Sequence, residues 1–130
     1  MRIVTLVLGL ALLGTLASAA EPDPAFVAAM REAEGNAKTP EGAPYDEAFG
    51  RTFAQKHEKI LGECAKSLDA SEMSSFDILA RVTATGKLET VLVEPRTKLA
   101  ECLRKNAVDH GYPGPPRPHY WVNVRMNIHQ

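Results

Sequence analysis

The most constraining feature of the sequence is a strict alternation of apolar and polar residues near its C-terminal end. Residues 120–128 read YWVNVRMNI, which is the cleanest strand pattern in the chain. The apolar set, predicted to face the core, is Tyr120, Val122, Val124, Met126 and Ile128. The intervening set, predicted to face outward, is Trp121, Asn123, Arg125 and Asn127. A period of two residues predicts a β-strand with one buried face.

Two helices and two more strands are predicted upstream. Apolar residues at helical spacing predict a helix over residues 47–68, and His57 lies at the edge of its apolar stripe. The stripe consists of Phe49, Phe53, Ile60, Cys64 and Leu68. Alternation over residues 76–84, a Thr-Gly-Lys turn at 85–87 and an apolar run at 88–93 predict a β-hairpin.

The second predicted helix follows the hairpin. It begins after the capping residue Thr97 and continues to about His110, with Gly111 as its terminator. Its inward residues are Leu99, Cys102, Leu103 and Ala107. The proline-rich segment 111–118 then leads into the last strand.

This order, α-β-β-α-β, predicts an α+β fold. The hairpin and the returning helix allow an all-antiparallel three-stranded sheet only in the spatial order 2-1-3. Both helices then cover one face of the sheet, in a two-layer sandwich. The predicted domain spans residues 47–130.

Residues 21–46 are predicted to form an N-terminal arm or linker. A short helix begins at Pro24 and ends at Gly35, and a flexible connection follows over residues 36–45. The helix has one apolar side, made of Phe26, Val27, Met30 and Ala33.

Residues 1–20 have the three parts of a secretory signal peptide. Arg2 precedes an apolar stretch of 14 residues (3–16), and small residues follow before the charged segment that begins at Glu21. A spanning helix needs about 20 apolar residues, so this core is short for a membrane anchor. We expect cleavage after Ala19 or Ala20 and a periplasmic or secreted protein with no membrane span. A net charge of −1 argues against a nucleic-acid binder that relies on a basic surface.

The two cysteines, Cys64 and Cys102, are predicted to form a disulfide. An even cysteine count is typical of a disulfide in a small exported domain, and both residues lie on the inward stripes of their helices. Closing a loop of this length stabilises the fold by roughly 4 kcal/mol in the chain-entropy model. A redox pair is normally Cys-x-x-Cys, and a zinc site needs more ligands than two thiols.

No catalytic constellation is apparent, so we expect a non-enzyme without a cofactor. His57 and Cys64 share a helix face but are about 10 Å apart along its axis. A copper or zinc site between His110 and His119 is a weaker alternative, because loop histidines are usually solvated.

The hairpin, the second helix and the last strand together resemble the C-terminal domain of TonB-type energy transducers. The residues that carry the resemblance are 78–82 (ILARV), 86–88 (GKL), 91–93 (VLV), 99–103 (LAECL), 112–116 (YPGPP) and 122–128 (VNVRMNI). Some TonB-like domains have a cysteine in each helix, which Cys64 and Cys102 would match. A transducer is membrane-held and has a long proline-rich linker, whereas this N-terminal segment is predicted to be cleaved and the arm is short. The resemblance therefore implies a fold and a binding mode rather than energy transduction.

The binding mode implied is strand addition at the open edge of the last strand, with a protein partner or its extended segment contacting Trp121, Asn123, Arg125 and Asn127. The same edge could pair two copies as a homodimer. The aromatic cluster Tyr112, Tyr120 and Trp121 either packs on the prolines or forms a partner-binding rim. A periplasmic immunity or inhibitor protein against a secreted cell-wall-targeting enzyme or toxin is the alternative function. An enzyme that depends on His57 or His110 ranks third.

Overall fold

The computed structural model describes residue 14 and residues 21–129. The predicted signal peptide therefore lies, except for Gly14, outside the described residues. The helices are α1 (Pro24–Ala37), α2 (Gly42–Ala65) and α3 (Lys98–Lys105), with a 3-10 turn at Ala70–Glu72. The strands are β1 (Phe76–Val82), β2 (Leu88–Glu94) and β3 (Tyr120–Met126).

The three strands form one antiparallel sheet in the order β2-β1-β3, as predicted. At its centre Leu79 of β1 is opposite Leu92 on one side and Asn123 on the other. The β1–β2 turn requires Gly86, which has a φ of 80°. A Cβ there would lie 2.0 Å from the carbonyl oxygen of Tyr112, so the turn admits no side chain.

Helices α2 and α3 cover one face of the sheet and enclose the larger core, in agreement with the prediction. Burial of the alternate residues of β1 and β3 against the apolar stripe of α2 drives this packing. Its fully buried large side chains include Phe49, Phe53, Phe76, Ile78, Leu99, Leu103, Tyr120 and Val122. The disulfide between Cys64 and Cys102 joins the two helices with a Cα–Cα distance of 5.9 Å, which confirms the predicted bond.

Helix α1 covers the opposite face and adds a third layer to the predicted sandwich. Asp23 caps the helix by accepting a hydrogen bond from the backbone N–H of Ala25 at 2.8 Å. The buried residues of α1 are Phe26, Ala29 and Ala33, and they pack on Leu79 of β1. Residues 24–37 are therefore a docked helix and not a free arm. Val27, predicted to face inward, is 39% exposed.

Several predicted boundaries were wrong for local reasons. The flexible connection over 36–45 is mostly helical, because Pro44 lies in the first turn of α2, where no N–H is needed. Helix α3 ends at Lys105 and not near His110, since the side chain of Asn106 donates a hydrogen bond to the carbonyl of Cys102 at 2.8 Å. Strand β1 ends at Val82, two residues before its predicted end. Strand β3 ends at Met126, whereas its alternating pattern continues to Ile128.

Within the described residues, no helix is both long enough and apolar enough to cross a membrane.

Candidate functional site

The first open edge of the sheet belongs to β3, which pairs with β1 and has no second neighbouring strand among the described residues. The side-chain amide of Asn36, at the end of α1, donates a hydrogen bond to the backbone carbonyl of Trp121 at 3.0 Å. That carbonyl is therefore turned away from β1. Because backbone groups alternate between the two sides of a strand, those of Asn123 and Arg125 also face the open side.

The four residues predicted to bind a partner lie on or just beyond β3. Trp121 is half-buried against α1. The amide of Asn123 donates a hydrogen bond to the carbonyl of Ile78 at 3.1 Å. Arg125 is exposed and forms an ion pair with Asp77 at 2.9 Å.

The fourth, Asn127, is exposed and follows the end of β3. Helix α1 thus occupies the Trp121 end of the predicted surface, and cross-strand contacts engage its middle. The part from Asn123 to Asn127 retains outward-facing backbone groups.

The three aromatic residues near the prolines do not form one exposed rim. Tyr112 is buried and donates a hydrogen bond from its hydroxyl to the carbonyl of Val108 at 2.6 Å. Tyr120 is also buried, and its hydroxyl donates to Asp46 at 3.0 Å. Burial raises the pKa of both tyrosines, and it also raises the pKa of Asp46. Trp121 points to the other face of the sheet.

The second open edge belongs to β2. Along β1, residues whose backbone N–H and C=O groups face β3 alternate with residues whose groups face β2. Leu79 and Arg81 are opposite Asn123 and Trp121, whose groups face away from β1, so Leu79 and Arg81 direct their own groups to Leu92 and Thr90 of β2. The intervening backbone groups of β2, those of Val91 and Val93, consequently face the open side.

The beginning of β2 is covered on this open side. The N–H of Leu88 donates a hydrogen bond to the carbonyl of Asp109 at 2.8 Å. A register shift between Arg81 and Val82 marks a β-bulge at this end of the pair. The part of the β2 edge that is left uncovered by this contact begins at Thr90.

A groove of about 310 Å³ follows this remaining part of the β2 edge. It is lined by Asp23, Phe26, Val91, Leu92, Val93, Glu94, Arg96, Glu101 and Arg104. One wall is the start of α1 and the other is α3. The sequence does not reveal this site, because one wall of the groove comes from residues 21–46, which are predicted to be an arm. The uncharged run TVLV at 90–93 is the only local signal of the site.

The charged groups of the groove are arranged in two clusters. Arg96 lies between two carboxylates, at 3.0 Å from Asp23 and 3.5 Å from Glu94. Arg104 bonds Glu101 through two nitrogens, at 3.0 and 2.7 Å. Hydrogen bonding by Arg104 lowers the pKa of Glu101, which keeps that carboxylate ionised near neutral pH. Three carboxylates therefore face two guanidinium groups.

The histidines considered for chemistry are separated from one another. His57 is fully buried between Phe53 and Val108, and not at the edge of the stripe as predicted. His110 contacts Asp109, and His119 contacts Glu89 at 2.7 Å. No group of three or more metal-ligating side chains occurs in the part of the chain that the structure describes.

Comparison of the chain with protein-family models, with curated proteins and with solved structures gives no match. The resemblance to the TonB C-terminal domain therefore stays a prediction.

Proposed function

We propose that this chain is an exported, non-catalytic protein-interaction module that binds an extended segment of a partner as an additional strand of its sheet. The observation that carries the proposal is the three-stranded sheet whose two outer strands each have one side without a neighbouring strand in the described residues. Outward N–H and C=O groups on an edge strand pair readily with an extended chain.

The edge predicted from the sequence, β3, supports this mode over its second half. The carbonyl of Trp121 already accepts a hydrogen bond from the side chain of Asn36. An added strand would therefore pair with the part of β3 from Asn123 toward Asn127. The TonB-like pattern of the last strand favours the same mode, and the groove beside β2 offers a second edge.

Export is the location that we propose for this function. The cleavable segment predicted at residues 1–20 favours secretion, and the disulfide between α2 and α3 is compatible with an oxidising compartment.

Selection from a displayed library of random ten-residue peptides tests the proposal. We expect enriched peptides to show apolar residues at every second position, because the two sides of an added strand meet different surfaces. Hydrogen exchange of the protein with an enriched peptide should then slow at outward amides of β3 or β2. Arg51→Glu on the exposed surface of α2 is the control, since its side chain is 65% exposed and contacts neither edge.

Two results would contradict strand addition. One is enrichment of peptides with helical periodicity, which would indicate docking on a helix face. The other is exchange protection confined to the helices when an enriched peptide binds.

A further inference from the structure

We propose that β2 is the preferred docking strand and that its occupant is an extended, apolar segment of a partner protein that carries a basic residue. This inference rests on the proposed strand addition and identifies the edge and the chemistry of the partner.

The β2 edge is less protected than the β3 edge. Natural sheets block open edges with charges, prolines, bulges or covering elements. The β3 edge has both a cover, from Asn36 of α1, and the charged Arg125. In β2, by contrast, the bulge and the contact from Asp109 are confined to the beginning of the strand. Residues 90–93 (TVLV) contain no charge and no proline, and the two charged residues of β2, Glu89 and Glu94, lie on either side of this run.

The groove beside β2 has walls that suit an added strand. Side chains of a strand alternate between the two faces of the sheet, so an occupant would direct them alternately toward α1 and toward α3. On the α1 side they would meet Phe26 and Leu92, and on the α3 side they would meet Val91. The volume of about 310 Å³ is enough for a few side chains of a short segment.

The charges favour a basic occupant. Arg96 is shared by Asp23 and Glu94, and Arg104 is paired with Glu101, so three carboxylates face two guanidinium groups and the surplus charge of the groove is negative. A lysine or arginine next to Glu94 would restore the balance.

The same charges argue against a second copy as the occupant. Strand β2 contains no basic residue, so a second β2 strand would bring no lysine or arginine to Glu94. Two antiparallel β2 strands would instead bring together two grooves that each have a surplus negative charge, and like charges across strands are destabilising.

Fluorescence anisotropy with two labelled peptides tests this inference on the purified protein with its disulfide intact. Both peptides have eight residues of alternating Thr and Val, and one central Thr is replaced by Lys in the first and by Glu in the second. We expect the Lys peptide to bind about tenfold tighter at low salt, because a difference of that size corresponds to one modest charge interaction. Glu94→Gln should reduce this preference.

Proline substitution at matched outward positions identifies the edge. Val91→Pro removes an outward N–H that takes no part in the β1–β2 ladder, and we expect it to weaken binding of the Lys peptide about tenfold. Val91→Thr, which keeps the N–H, and Arg125→Pro on β3 should change the affinity less than about twofold. If Val91→Pro does not fold, slowed amide exchange at Val91 and Val93 in the wild-type complex provides the same information.

Each of the remaining outcomes refutes one part of the proposal. Loss of binding in Arg125→Pro but not in Val91→Pro would move the site to β3, and the proposed function would survive. Equal binding of the two peptides would refute the basic occupant, and binding of neither would refute the β2 site. Concentration-dependent dimerisation that Val91→Pro abolishes would make a second copy the occupant. Failure of the library selection described above would instead reject strand addition altogether.

Discussion

The buried His57 provides the sharpest test of how the structure is stabilised. Its side chain is 0% exposed and stacks on the ring of Phe53 with a centroid distance of 3.9 Å. One ring nitrogen, Nδ1, lies 2.7 Å from the carbonyl oxygen of Phe53, which can only accept a hydrogen bond. The other, Nε2, lies 2.9 Å from the N–H of Val108, which can only donate. These partners require the neutral tautomer with its proton on Nδ1.

Protonation of His57 would place a second proton between Nε2 and the N–H of Val108. Burial lowers the pKa of His57, a hydrogen bond to the carbonyl of Phe53 partly opposes this, and the charge of Lys56 lowers the pKa further. Between the lowered folded-state pKa and the ordinary value of about 6.5, the unfolded chain therefore binds more protons than the folded chain. Stability from His57 is complete above about pH 6.5 and is lost as the pH falls through this window.

The perturbation is His57→Gln, whose amide oxygen can accept from Val108 and does not titrate. At pH 8 we expect the variant to be less stable by about 1–2 kcal/mol, because the ring packing on Phe53 is lost. Between pH 6.5 and pH 5 the wild-type protein should lose up to about 2 kcal/mol more than the variant, since one proton contributes about 1.4 kcal/mol per pH unit. The gap between the two proteins should therefore narrow in acid.

Urea unfolding at pH 5, 6, 7 and 8, with the disulfide intact, measures both effects. The exposed histidines are common to both proteins, so their contribution cancels in the comparison. Nitrogen NMR of the His57 ring should show an unprotonated Nε2 at neutral pH. A parallel loss of stability in the two proteins on acidification would refute the lowered pKa of His57. A ring signal with the proton on Nε2 would refute the assigned tautomer.

Three further predictions concern the fold. Replacing both cysteines of the α2–α3 disulfide by serine should lower the free energy of unfolding by about 4 kcal/mol; labelling of the denatured, unreduced protein should detect no free thiol, and two reactive thiols would refute the bond. Gly86→Ala should destabilise by at least about 1 kcal/mol, because its φ is positive and its Cβ would meet backbone. The matched change Gly62→Ala, at an exposed position of α2, should stabilise the protein by up to about 1 kcal/mol. A thermal scan in which both glycine variants have a lower Tm than the wild-type protein would contradict this expectation. Ala33→Glu should cost about 2 kcal/mol or more, because Ala33 is 1% exposed on the side of α1 that packs on the sheet, whereas Val27→Glu should be close to neutral. Equal urea midpoints for the two variants would show that α1 is not docked.

The candidate site was less predictable than the fold. Side-chain alternation identified Trp121, Asn123 and Arg125 as one face of β3, and the structure places them together. Their neighbours could not be predicted, since Asn36 is 85 residues away from Trp121 in the sequence. No local pattern specifies which distant side chain occupies a given carbonyl.

The amino-acid sequence by itself determined the element order, the sheet order β2-β1-β3 and the pairing of Cys64 with Cys102. The element order and the sheet order follow from periodicity and chain connectivity, which act over a few residues or restrict the topology strongly. The pairing follows from the presence of two cysteines, both on inward helix stripes, in a chain predicted to be exported. The tertiary structure alone decided that α1 docks on the second face of the sheet, that His57 is buried, and that the edge of β2 is a groove. Each of these depends on which surfaces meet, and a weakly patterned helix with small buried residues such as Ala29 and Ala33 becomes informative only when its partner surface is in place.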